Sequence, residues 1–174
     1  MSSEYHRGLV AKVPGDDVLK VLEDQMFWLC ELASYLSTDQ VDQIHPKYSW
    51  TIRQVMAHVI ESERVFAFRL QHAAAGDKKP LPGFDQDEYA EARYGLGPFS
   101  NLITELAHLR KATLMMLARI KPKCWNQRIT ADSAEITLRG LAWVLAGHLH
   151  HHFEIIENRC GFQVQRGPDD CERG

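Results

Sequence analysis

The sequence predicts an all-α protein, a four-helix bundle with a crossover connection. Three observations carry this prediction. Four long stretches place apolar residues at helical spacing, and no β pattern of useful length appears. The linkers between the second and third stretches, and between the third and fourth, are long enough for a crossover rather than a simple up-down order.

The first helix is expected over about 16–36. Asp16 and Asp17 suit a helix start, where carboxylates accept orphan backbone N–H groups. Val18, Leu22, Met26, Leu29 and Leu32 then recur at helical spacing. Residues 37–49 read as a connection broken by Pro46. The second helix is expected over 51–75, opened by a Thr51–Gln54 capping box and stopped by Gly76. Residues 76–97 form a connection of the length that is often functional, with a short helix at about 86–92. The third helix is expected over 99–120, its first turn pre-set by Pro98. Residues 121–135 read as a loop or a small hairpin. The fourth helix is expected over 138–159, with Thr137 as cap and Gly161 just past its end. All 174 residues fit one domain, with a core over about 16–160 and a polar, mobile tail over 162–174.

Bulk properties narrow the function. About 45% of residues are apolar and the net charge is -3 with both signs interspersed, so disorder and a nucleic-acid footprint are not indicated. Charges interrupt the apolar runs, which argues against a membrane span. The first thirteen residues lack the layout of a signal peptide, so a cytoplasmic location is the default expectation. None of Cys30, Cys124, Cys160 and Cys171 forms a C-x-x-C pair, so free thiols are expected rather than a thiolate metal site; Cys160 and Cys171 could meet in the tail.

The histidines are unevenly placed. On a helical wheel, Leu141, Leu145, Ile155 and Ile156 define the inward stripe of the fourth helix, and His148 and His152 fall in its middle. His151 lies at the flank and His150 is expected to face solvent. Two imidazoles at i and i+4 project from one face and can converge on an ion at about 2.0–2.1 Å each. His58 sits on the inward stripe of the second helix, with Val55 and Val59. A lone inward histidine is more often a hydrogen-bonded core residue, and His-x-x-x-His alone is only moderately specific. The joint pattern favours one divalent ion held by His58, His148 and His152. Three nitrogen donors suit Zn or Ni, with a position left open for water or substrate.

The same residues carry a family resemblance. The stretch from Tyr48 to His58, followed by Glu63, Arg64 and Arg69, is its first block. Pro80 to Tyr89 (Pro-Leu-Pro-Gly-Phe-Asp-Gln-Asp-Glu-Tyr) is its second. Ala146, Gly147, His148 and the run to His152 form its third. With these blocks the chain resembles the DinB-like family of four-helix bundle metalloenzymes. The resemblance implies the same three metal ligands, a crossover bundle and a homodimer. It also implies, for some members, transfer to low-molecular-weight thiols, and it places the Pro80–Tyr89 loop at the border of the metal pocket. The chain departs from similar sequences at Leu149, where an acidic residue is common, and at His150, where an apolar one is.

The expected chemistry is that of a metal-dependent transferase or hydrolase acting on a small molecule, with water or a small thiol as the activated nucleophile. His151, Asp85 and Tyr89 are the catalytic candidates for proton transfer or substrate orientation. Each has a structural alternative: a rim contact, an Asx-turn and a core ring, respectively. Arg69, on the inward side, is a candidate carboxylate ligand or the partner of a structural acid. Phe27 and Trp28 mark the candidate dimer face. A metal-binding protein without turnover is the rival reading.

Overall fold

A computed structural model describes residues 3–91, 96–164 and 166. It contains α1 (Ser3–Ala11), α2 (Val18–Tyr35), α3 (Thr38–Asp42), α4 (Ile52–Ala75), α5 (Gln86–Glu91), α6 (Phe99–Leu117) and α7 (Leu138–Cys160). A two-stranded sheet, β1 (Arg128–Ala131) and β2 (Ala134–Thr137), precedes α7. The four long helices are α2, α4, α6 and α7. Both α2 and α4 pack against both α6 and α7, so α2 lies diagonal to α4 and α6 diagonal to α7. Each of those two connections therefore crosses an end of the bundle. The four-helix bundle is as the sequence predicts, but one crossover lies elsewhere: the α6–α7 connection crosses as expected, whereas the long 76–97 linker joins the neighbouring helices α4 and α6, and the connection that crosses instead is the one from α2 to α4.

Local chemistry explains the helix ends. The Asp17 side chain accepts from Leu19 N and Lys20 N. Thr51 Oγ1 accepts from Gln54 N at 3.1 Å while Gln54 Oε1 accepts from Thr51 N at 2.8 Å. The side chain of Thr137 accepts from Gly140 N. Gly76 and Gly161 close α4 and α7 at φ 73 and 74, the left-handed conformation that glycine takes without strain.

Two helices lie where the sequence suggested none. The connection at 37–49 holds α3, fixed by a Ser37–Gln40 capping box. The N-terminus folds as α1 and packs along α7. A Cβ on Gly147 would stand 2.6 Å from the Leu9 carbonyl oxygen, so only glycine lets α1 approach this closely. That contact also corrects the placing of His150. It is 6% exposed, not solvent-facing, because α1 lies against its side of α7 and Lys12 and Arg166 approach it. Trp28 is likewise buried, at 9%, while Phe27 is 71% exposed. The helical period turns two adjacent residues about 100° apart, so only Phe27 can serve an outer face.

Residues 121–135 resolve into a 3₁₀ turn (Pro122–Cys124) and the start of the hairpin. Its turn residues Asp132 and Ser133 have φ 51 and 60, as a two-residue type I′ turn requires. Leu81 bonds to both sides of this tip: its N–H donates to Thr130 O at 2.9 Å and its carbonyl accepts from Asp132 N at 3.2 Å. The start of the tail is held as well. Val164 is buried and donates to Glu157 Oε1 at 2.7 Å; residues 165 and 167–174, including Cys171, lie outside the described residues. Cys30, Cys124 and Cys160 are free thiols.

The apolar core falls into two clusters. One gathers Leu22, Leu70 and Leu145 with Leu9 and Ile129; the other gathers Leu29, Met56, Leu106 and Phe153. Between them, on the four bundle helices, lie the buried polar residues Gln25, Glu63, Arg110 and His148. Buried polar groups must find partners. Gln25 does so by donating from Nε2 to Ala146 O at 2.7 Å, which ties α2 to α7 two residues before His148.

Candidate metal centre

His58 comes from α4, and His148 and His152 come from successive turns of α7. All three are buried, at 1%, 5% and 9% exposure. His148 Nε2 lies 3.1 Å from His58 Nε2 and 3.2 Å from His152 Nε2. One nitrogen from each ring lies within 4.8 Å of the other two. A tetrahedral ion with donors at 2.0–2.1 Å would hold them about 3.3 Å apart, so two of the three spacings are already close to what such an ion needs. The rings meet edge-on, with centroids 5.0, 5.0 and 4.6 Å apart. Trp50 and Phe66 pack on the outer sides, 5.4 Å from His58 and 5.8 Å from His148.

The electrostatics suit ligation. Burial pushes His148 and His152 well below the ordinary imidazole range, and the neighbouring imidazoles push the same way. Both are therefore neutral near pH 7, the state in which a ring nitrogen offers its lone pair. A ring nitrogen either donates or accepts, so three convergent Nε2 atoms cannot all hydrogen-bond to one another. A cation at their centre satisfies all three lone pairs at once, so the donor set fits a divalent ion.

The centre opens beside His152 into a cleft of about 270 Å³, whose walls include Tyr48, Trp50, Asp87, Lys47 and Arg159. A larger cleft of about 850 Å³ lies between α4 and the 81–89 segment, walled by Phe68, Phe84 and Tyr89, and contains none of the three histidines. The smaller cleft is the relevant one, because it alone of the two is lined by one of the three histidines.

The remaining sequence candidates are distributed around this centre. The His151 ring is half-buried and 5.3 Å from that of His152, and burial lowers its pKa. Asp85 is exposed and starts α5: its Oδ1 accepts from Asp87 N at 2.9 Å and Glu88 N at 3.3 Å. Tyr89 is 51% exposed and stands edge-on to Phe84 in the larger cleft, with ring centroids 4.6 Å apart. Arg69 is buried and donates to Pro82 O at 3.1 Å, fastening the 80–89 loop to α4. The mouth residues Arg159 and Asp87 escaped the sequence reading. Arg159 was accessible to it, since it follows His152 by seven residues on the same helical face. Asp87 was not, because its position depends on where the loop carries α5.

A crossover bundle with three inward histidines on two adjacent helices defines a class of helical proteins built to hold one ion at an accessible centre. The model of the DinB superfamily matches residues 29–156, and the chain belongs to that family. Two proteins of Oceanobacillus iheyensis are similar over most of their length. "Putative metal-dependent hydrolase OB0413" is 25% identical over 150 residues, covering 84% of this chain and 87% of the relative. "Putative metal-dependent hydrolase OB0782" is 23% identical over 155 residues, covering 88% and 90%. Among solved structures, YfiT from Bacillus subtilis, described as a probable metal-dependent hydrolase with an unusual four-helix bundle topology, superposes with a TM-score of 0.72. It is 19% identical, with 94% of this chain and 91% of that chain covered. The DinB-like protein YjoA from Bacillus subtilis gives a TM-score of 0.60 at 16% identity, with 87% and 100% covered. At these identities the two structures establish the fold. No helix among the described residues is long and apolar enough to cross a membrane.

Proposed function

We propose that this chain is a metal-dependent enzyme that activates a small nucleophile, water or a low-molecular-weight thiol, for hydrolysis or group transfer. The observation that carries the reading is the convergence of His58, His148 and His152 Nε2 atoms beside an open cleft. The names of the two Oceanobacillus relatives support a metal-dependent hydrolase. Zn or Ni suits three imidazole donors.

When bound, such an ion would supply Lewis acidity and lower the pKa of the nucleophile beside it. The chain supplies the rest. Burial keeps His148 and His152 neutral and therefore able to ligate. Trp50 and Phe66 give the centre an apolar surround that strengthens electrostatic interactions within it. Three protein donors would leave a position on the ion for water or substrate. His151 is the nearest imidazole outside the ligand set, which makes it the first candidate to carry a proton between the cleft and solvent. Asp85 already serves as the cap of α5, and Tyr89 lines the other cleft, so roles for these two are secondary proposals.

The test begins with metal analysis of protein purified without a polyhistidine tag. One equivalent that survives dialysis and is lost in His148→Ala is expected. The same protein is then screened with esters, amides and thiol–electrophile pairs. Turnover that a chelator abolishes and the metal restores is the expected result. Metal without turnover across both panels would favour a binding protein, and no metal at all would defeat both readings.

A further inference from the structure

We propose that Arg159, supported by Lys47, forms a carboxylate-binding subsite at the mouth of the histidine centre, so that the substrate is an organic acid. The proposal rests on the metal-centre reading above and names the substrate class for it. Arg159 and His152 share one face of α7 and wall the same cleft. Seven residues separate them, or about 10.5 Å of helix rise. A molecule of several carbons could thus place one end at the imidazoles and the other at the guanidinium.

The guanidinium is held in place before any ligand arrives. It lies 3.7 Å over the Tyr48 ring and donates through Nη1 to Trp50 O at 2.9 Å. Its Nε is buried and has no hydrogen-bond partner among the described residues. Arg53, Arg64, Arg110 and Arg166 each pair with a carboxylate. Among the described residues Arg159 does not: the groups acting on its charge are Tyr48, which also hydrogen-bonds it, and Cys160, and burial pulls its pKa down. A half-desolvated cation with a fixed orientation and no carboxylate paired to it among the described residues is arranged to take a carboxylate through two parallel N–H bonds. Lys47 adds a second cation to the same cleft, and Asp87 on its wall offsets one of the two. The mouth therefore keeps one net positive charge.

The test uses the full-length, untagged protein loaded with Co²⁺, whose visible spectrum reports both the centre and thiols that bind to it. The spectrum should saturate at one equivalent and be lost in His148→Ala. If no cobalt binds, the metal centre is refuted and the subsite falls with it. If cobalt binds, ω-mercaptoalkanoates of two to six carbons are titrated against their own methyl esters. At least one acid should perturb the spectrum at about tenfold lower concentration than its ester, as a charge-assisted bond predicts. Arg159→Gln should erase that ratio while its cobalt spectrum before thiol addition matches wild type, and Arg159→Lys should keep part of it. Lys47→Gln, at an exposed position, should reduce the ratio two- to threefold, and serves if the Arg159 variants fail to fold. Equal binding of acid and ester throughout the series overturns the subsite but not the centre, as does a ratio unchanged in Arg159→Gln.

Discussion

Arg110 and Glu63 form a bidentate ion pair in the middle of the bundle, with Nε–Oε1 and Nη2–Oε2 both at 2.9 Å and side-chain exposures of 0% and 1%. The third nitrogen of Arg110 donates to Leu22 O at 3.2 Å and Gln25 Oε1 at 2.8 Å. Gln25 then reaches Ala146 O, so one polar network joins α6, α4, α2 and α7. Glu63 lies five residues beyond His58, and Ala146 lies two before His148. The network thus fastens the two ligand-bearing helices close to where their histidines meet.

Removing one partner should therefore be costly. Glu63→Ala leaves the Arg110 charge buried and unpaired, an arrangement that costs about 3–5 kcal/mol. Urea denaturation is expected to show a loss of that order. A much smaller loss would mean that water enters the layer and screens the charge.

Acid should loosen the metal-free protein through its buried imidazoles. His148 and His152 have folded pKa values below the unfolded value of about 6.5. The unfolded chain binds protons that the folded chain refuses, so stability is fully present above about 6.5 and falls as pH drops toward the folded values. Each such group contributes a slope of at most about 1.4 kcal/mol per pH unit in that window. Urea midpoints of the apo protein at a series of pH values between about 7.5 and 5 should decline accordingly. The decline should be shallower in His148→Phe.

Gly147→Ala should disturb α1 in particular. The added Cβ would meet the Leu9 backbone at 2.6 Å, and a backbone carbonyl cannot swing aside as a side chain can. A loss of about 1–3 kcal/mol is expected from overpacking. Limited proteolysis should show faster cleavage between residues 3 and 17 in the variant, with the bundle itself still resistant.

We propose that the homodimer implied by the family resemblance uses the outer face of α2, where Phe27 is 71% exposed. Phe27→Glu should then shift the mass seen by light scattering from dimer to monomer at micromolar concentration. A wild-type monomer under those conditions would refute the dimer, and a dimer indifferent to the substitution would move the interface elsewhere.

Much of this protein is written locally. The starts of α2, α4 and α7 were legible because Asp17, Thr51 and Thr137 cap their own backbones within three residues. The inward direction of His58, His148 and His152 was legible because helical geometry fixes which residues share a stripe. The short helix α5 was read at about 86–92, but α1 and α3 were not legible. Nine residues of α1 and five of α3 give too few turns for a periodic signal, and α1 owes its place to a groove at Gly147 that exists only once α7 is formed.

The sequence by itself determined which histidines turn inward and which segments are long helices, because those properties depend on contacts a few residues apart. Tertiary structure decided that residues ninety positions apart bring their Nε2 atoms within 3.1 Å, that His150 is covered, and that Arg159 stands at the mouth of the centre. Those outcomes depend on how α1, α4 and α7 pack together. Packing is settled by the summed fit of two apolar clusters and one buried polar layer, which no single stretch of the chain encodes.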